Sequence, residues 1–218
     1  MMIEVTYINH MGDDLTVVNA ARVSFGKKSD YMPRVHMGEP KVLQFKDDKL
    51  IKYLAKHKHI SPFGHCFASF HVKAPVFVAR QLVKHKFLRW NEISRRYVDI
   101  DVELYESPEW RGRSADKKQG SEGTVKSNFN IKYYNTKALM AYEQLLNEGV
   151  APEQARMVLP QSMMTEWYWS GSLDAFVDMC NLRCTDDTQR ESRIVADAID
   201  EEMERLFPVS WSALRNAS

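Results

Sequence analysis

Between Arg80 and Arg96 the chain places six cations, Arg80, Lys84, Lys86, Arg89, Arg95 and Arg96, and from Lys84 on they surround one carboxylate (Glu92), one hydroxyl (Ser94) and one amide (Asn91). Arginine and lysine offer only donors, which suits phosphate oxygens. Ser94, Asn91 and Glu92 add the neutral donors and the acceptors that a ribose or a base edge requires. Charge alone would not call for that mixture, so the segment reads as a nucleotide site; a solvated cationic face is the plainer alternative. The apolar flank argues against that alternative. Val76, Phe77, Val78, Ala79, Leu82 and Val83 mark a largely buried helix, and cations leaving its end border a cleft. A helix over 76–88 sets Arg80, Lys84 and Leu88 on one face at four-residue spacing, with Gln81 and His85 on the adjacent stripe.

The elements that must hold this segment follow from periodicity and turn signals. Ile3–Ile8 alternates like a strand, and Asp13 or Asp14 caps a helix containing Leu15, Val18 and Val23. The stretch through Pro33 and Pro40 reads as loop. Asp47 and Asp48 open a second helix with Leu50, Ile51 and Leu54 at helical spacing, and Cys66–Val72 reads as a strand. Tyr97–Tyr105 alternates Val98, Ile100, Val102 and Leu104 against Asp99, Asp101 and Glu103, which predicts a half-buried strand with a solvated acidic face. Residues 106–128 form a polar connection. Helices are expected over 129–146, from Pro152 through Arg156, over 173–182 and over 187–206. The uneven mixture, with no βαβ alternation and no Gly-x-Gly-x-x-Gly loop, predicts an α+β fold in one domain.

Composition sets the outer limits. A chain of 218 residues is long enough to bury roughly 70% of its unfolded surface. A formal charge of +1 excludes a protein that coats nucleic acid or an anionic membrane through a broad basic excess, so the cation cluster is local. No apolar run approaches the roughly 20 residues of a membrane span, and Met1–Val5 lacks a secretory signal design, so a cytoplasmic location is expected. The three cysteines, Cys66, Cys180 and Cys184, are an odd number without a disulfide framework, and none lies beside the basic cluster as a nucleophile. Cys180 and Cys184 lie one helical turn apart, which would allow a metal pair, but core or surface thiols are the better reading and no chemistry is assigned to them. His57, His59 and His65 beside Cys66 match no standard zinc spacing, so no metal is assigned.

Several ordered blocks resemble the flavin-dependent thymidylate synthases (ThyX). The family signature, Arg-His-Arg, seven residues, then Ser, is kept in frame as Lys84-His85-Lys86 and Ser94. Further blocks are Asn19–Phe25, His59–His65, Phe70–Pro75, Ala79-Arg80-Gln81, Ala155–Pro160 and Asn181-Leu182-Arg183; about 26–45 and 106–128 carry none. The resemblance implies a twisted, mainly antiparallel sheet flanked by helices, and a homotetramer with sites shared among subunits. It also implies reductive methylation of dUMP to dTMP, with methylenetetrahydrofolate as carbon donor, FAD as hydride carrier and NADPH as reductant. Carried over by position, Arg183 polarises the uracil ring, and Gln81, Lys84, Glu92, Ser94, Arg95, Arg96 and Arg156 hold dUMP with it. FAD falls to His59, Ser61, Lys84, His85, Lys86, Phe87, Asn91, Glu92, Ser172 and Asp178, without a Rossmann motif.

Departures at four positions qualify that transfer. Lys84 and Lys86 keep the charge of arginine but lose its two-pronged donor, and a charged hydrogen bond is worth about 1.5 to 3 kcal/mol. Asp174 stands where many members have Arg, and Asp187 where many have His. Two other readings therefore stand beside the first: transfer of another one-carbon group, such as hydroxymethyl, to a pyrimidine nucleotide, and a non-enzymatic module that stacks single-stranded nucleic acid on Phe87, Trp90 and Tyr97.

Overall fold

The computed structural model describes residues 2–33, 36, 41–115 and 120–217, so the loop expected through Pro33 and Pro40 and the middle of the 106–128 connection lie partly outside the described residues. Strand β1 (Glu4–Met11) runs into a capping box that starts α1 (Asp14–Arg22): Asp13 Oδ1 accepts from the Thr16 N–H at 3.0 Å, and Thr16 Oγ1 accepts from the Asp13 N–H at 3.1 Å. Each bond satisfies a donor that a helix start leaves orphaned. The second helix, α2 (Phe45–Lys56), begins two residues before Asp47. Asp47 is drawn into the interior instead, where it accepts from Arg22 Nε at 3.1 Å and Ser29 Oγ at 3.0 Å.

The chain continues as β2 (Phe67–Pro75), α3 (Val76–Leu82), β3 (Arg89–Glu92), a hairpin of β4 (Arg111–Arg113) and β5 (Ser121–Thr124), α4 (Ile131–Asn147) and α5 (Pro152–Ala155). Then follow β6 (Met164–Ser172), α6 (Leu173–Arg183), α7 (Arg190–Leu206) and α8 (Pro208–Arg215). The main sheet has the order β1-β2-β6-β3, with every neighbouring pair antiparallel. The expected α+β class and antiparallel sheet are therefore found.

Alternation in β2 turns Ala68, Phe70, Val72 and Ala74 into the core, and the facing strand β6 contributes Trp167 and Trp169. Phe176 of α6 meets Phe70 edge-on at 5.3 Å and Trp169 at 5.8 Å. Helices α1, α2, α7 and α8 add Val17, Ile51, Val195 and Trp211 to the same cluster. An aromatic side chain buries about 150 to 250 Å², which at about 25 cal/mol per Å² is about 4 to 6 kcal/mol. The tryptophans on β6 and α8 thus anchor the helices to the sheet.

Several expected boundaries are corrected. The helix placed over 76–88 ends at Leu82: the His85 N–H bonds back to the Leu82 carbonyl, and Phe87 takes a left-handed φ of 65°. That reversal lets Arg89–Glu92 join β6 as an edge strand. The strand expected over 97–105 does not form. Arg95 takes the carbonyls of Val98 (3.3 Å) and Ile100 (2.9 Å), Asp101 has φ 52°, and only Leu104 makes a bridge, to Met163. Nor is its acidic face wholly solvated, because Glu103 pairs with Lys73 at 2.5 Å. The polar connection carries the β4–β5 hairpin, and α7 starts at Arg190, after a turn in which Thr185 Oγ1 donates to Asp187 at 2.6 Å. Among the described residues, no helix is long and apolar enough to cross a membrane.

Candidate functional site

Helix α3 carries site residues on two faces. Val76, Ala79, Arg80 and Val83 line one side of a cleft of about 780 Å³. The opposite wall comes from Glu92 and the turn Ser94–Arg96 after β3, and from Glu153, Arg156 and Met157 at the end of α5. Four guanidinium groups, Arg80, Arg95, Arg96 and Arg156, thus face two carboxylates. Arg95 is 8% exposed, and its Nε is buried with no partner among the described residues. Its Nη1 donates to the Val98 and Ile100 carbonyls, and its largely buried charge would be offset by an anion in the adjoining cleft. Glu92 has both carboxylate oxygens engaged, one accepting from the buried Thr165 Oγ1 at 2.6 Å and the other from Trp90 Nε1 at 3.1 Å. Ser94 Oγ accepts from the Arg96 N–H at 3.3 Å, and Arg156 Nε donates to the Glu153 carbonyl at 3.2 Å. Of the expected nucleotide ligands the cleft gathers Glu92, Ser94, Arg95, Arg96 and Arg156.

Gln81 and His85 lie on the other face of the α3 segment, away from that cleft. Arg183, in the last turn of α6, donates from Nε to His85 Nε2 at 3.0 Å. The accepting nitrogen must be unprotonated, so the ring proton belongs on Nδ1 and the imidazole is neutral. Burial, and then the Arg183 charge, push the His85 pKa down to about 4. Among the described residues the two terminal nitrogens of Arg183 meet no protein acceptor, which leaves them free for a ligand. Gln81 is held by Gln189 and Ser192 at the start of α7.

The turn from Lys84 to Leu88 completes this second patch. Lys84, Lys86 and Phe87 are exposed, and Leu88 folds back onto β6. A Cβ at Gly171 would sit 2.4 Å from Leu88 Cδ2 and 3.3 Å from the Phe87 carbonyl oxygen. A side chain there would have to displace the end of Leu88 and press on the Phe87 carbonyl, so glycine gives the turn its close seat, and Ser172 follows it as the N-cap of α6. Asn91 is exposed on β3 opposite Tyr168. Asp178 is exposed on α6, with its pKa raised by partial burial and by the nearby Asp174. His59 and Ser61 lie apart, on the turn before β2; His59 stacks on Tyr53 with ring centroids 6.1 Å apart. The expected flavin ligands are thus spread over three locations in one chain, with Glu92 in the arginine cleft, His59 and Ser61 before β2 and the others about the 84–88 turn, β3 and α6, while Arg183 and Gln81 do not line that cleft.

Trp90 stacks on the buried Trp167 at 4.3 Å, which removes it from the aromatic set of the nucleic-acid reading. Among the described residues, the group able to gather around a cation is Cys180, Cys184 and Asp200. Asp200 there already accepts from Trp211 Nε1 at 2.8 Å and pairs with Arg215 at 3.0 Å, a cationic neighbour that disfavours a metal ion. Sequence reasoning missed Thr165, Gly171, Gln189 and Glu191, whose roles depend on partners distant along the chain.

A family model described as thymidylate synthase complementing protein matches residues 6–209. A flavin-dependent thymidylate synthase of Thermus thermophilus is 39% identical over 212 residues, which cover 96% of this chain and 74% of that protein. Its counterpart from Kosmotoga olearia is 40% identical over 214 residues, covering 94% of this chain and 87% of that protein. Among solved structures, a UMP/dUMP methylase, PolB from Streptomyces cacaoi, bound with 5-Br dUMP, is similar with a TM-score of 0.84 at 27% identity, covering 99% of this chain and 95% of that one. Sequence, fold and the two clusters of cations agree: the chain belongs to the family of flavin-dependent thymidylate synthases.

Proposed function

We propose that the protein reductively methylates dUMP to dTMP, and that the arginine cleft receives the nucleotide phosphate. The observation that carries this reading is the convergence of Arg80, Arg95, Arg96 and Arg156 on one cleft. Ser94 and Glu92 at the same wall supply the hydroxyl and the acceptor for the sugar or base.

Arg183 acts on the uracil ring. Neutral His85 fixes its Nε, so its terminal nitrogens point the remaining charge at a ligand. A guanidinium at the polar edge of uracil stabilises negative charge spreading through the ring and makes the ring carbon nucleophilic without a cysteine adduct. Cys66 is unsuited to such an adduct: burial pushes its thiol pKa up to about 12, and it donates to the Asp13 carbonyl at 3.4 Å. A thiol held protonated is a poor nucleophile.

The donor set fits a flavin dinucleotide. Lys84 and Lys86 offer ammonium donors for a pyrophosphate, Phe87 an exposed ring, and Asn91, Ser172, His59 and Ser61 neutral polar groups. Once reduced by NADPH, a flavin held there would supply the hydride that completes the methyl group, with methylenetetrahydrofolate as the source of carbon. In one chain these groups and Arg183 stand apart from the arginine cleft. That separation supports a homotetramer in which patches from different subunits meet; a cytoplasmic location belongs to the same reading.

Equilibrium binding of dUMP against deoxyuridine tests the phosphate assignment. Loss of a phosphate held by several arginines should weaken binding by at least about a hundredfold, since each charged hydrogen bond is worth about 1.5 to 3 kcal/mol. Equal affinity for the two would overturn the reading of the cleft.

A further inference from the structure

The start of α7 contains a directed chain of hydrogen bonds that ends on Gln81. Glu191 is 3% exposed and accepts two bonds from Arg111 Nη2, at 2.8 and 2.7 Å. Arg111 comes from the β4–β5 hairpin, where its Nε also donates to Ser121 Oγ at 2.8 Å. Burial raises the Glu191 pKa, but the Arg111 bond, its own backbone N–H, the Arg111 charge and Gln189 together outweigh that and leave it below the usual carboxylate range. Glu191 is thus a buried carboxylate that can only accept.

That restriction propagates. A glutamine amide has nearly the same shape when flipped, so only its partners decide which end is nitrogen. Gln189 must offer its Nε2 to Glu191 Oε2, which it does at 3.1 Å. Its Oε1 is then the end that meets Gln81, and it accepts from Gln81 Nε2. Gln81 Oε1 in turn accepts from Ser192 Oγ at 3.1 Å. One N–H and one lone pair of Gln81 remain for a ligand, in fixed places.

We propose that Glu191 and Gln189 are positioning residues that set the amide polarity of Gln81 toward the pyrimidine nucleotide, with Arg111 of the hairpin as the countercharge that keeps Glu191 in place. The proposal rests on the reading of Gln81 as a nucleotide ligand. It gives the β4–β5 hairpin a task in substrate binding, although no residue of it lines the arginine cleft.

The test is a double-mutant cycle on dUMP affinity, measured by calorimetry on the flavin-loaded protein. Gln81→Ala, Gln189→Met and the double variant are compared with the parent; Gln189→Met removes the relay and leaves the Arg111–Glu191 pair intact. Each single change should weaken dUMP roughly three- to tenfold, the worth of one neutral hydrogen bond, and the double variant should be no weaker than Gln81→Ala alone. Glu191→Gln should behave as Gln189→Met does if it folds. Losses that add in the double variant, or parental affinity in Gln189→Met while Gln81→Ala is impaired, would overturn the proposal. Parental affinity in Gln81→Ala would instead remove the reading of Gln81 as a ligand, and the relay with it.

Discussion

The Arg183–His85 pair shows how one hydrogen bond constrains the chemistry of two residues. A protonated imidazole could not accept from Arg183 and would add a second positive charge beside it. The folded chain therefore favours neutral His85, with a pKa near 4 against an ordinary 6.5. The sign of the linkage follows. Above 6.5 the ring is neutral in folded and unfolded chains alike, and its contribution to stability is complete. As pH falls from 6.5 through about 4 the unfolded chain takes up the proton first, and stability is lost across that window. His85→Gln keeps an acceptor for Arg183 without a titrating ring. Urea midpoints measured across the same window should fall less steeply with acid in this variant; identical slopes in both proteins would remove His85 as the cause. The signature around His85 was legible in the sequence because its members are contiguous. Its partner Arg183 lies 98 residues away, so their hydrogen bond could not be read from spacing, although the resemblance placed both residues in the site.

Among the elements, the site depends on a short helix and an abrupt turn. Helix α3 serves both patches because Arg80 and Val83 face the cleft while Gln81 and His85 face α6 and α7. The turn after it seats closely on β6, helped by the absence of a side chain at position 171. Gly171→Ala would place a methyl group 2.4 Å from Leu88 Cδ2, lifting Leu88 and with it Lys84–Phe87. Overpacking of this kind costs about 1 to 3 kcal/mol, and the variant should lose both denaturant resistance and flavin content. Wild-type values of both would show that the turn is not seated on β6 as described. Strand β3 escaped sequence reasoning because Arg89–Glu92 is a charged edge segment with a single apolar position, Trp90. The 97–105 segment misled it in the opposite way: its alternation is real, but Arg95 occupies the carbonyls that a neighbouring strand would have used.

For the whole molecule, the main question is why one chain separates groups that a single reaction needs together. The α+β class and the antiparallel sheet followed from irregular strand and helix signals and from the resemblance. The two stripes of α3 were legible too, but what each would meet was not, because Arg156 for one and Arg183 and Gln189 for the other lie far along the chain. Sharing of sites between subunits, as proposed above, would turn that separation into a measurable property. Arg183→Ala and Arg156→Ala place their lesions in different patches. Each variant alone should be inactive, and co-expression of the two should restore part of the activity, because some shared sites then draw an intact patch from each kind of subunit. Failure of the mixed assemblies to regain activity would mean that both patches of a site come from one chain.

Thymidylate synthesis itself is tested by the mass of the nucleotide formed when purified protein is incubated anaerobically with dUMP, methylenetetrahydrofolate, FAD and NADPH. A product heavier than dUMP by the methyl group of dTMP is expected. Recovery of unmodified dUMP from flavin-loaded protein, or a hydroxymethyl nucleotide in place of dTMP, would refute the assignment.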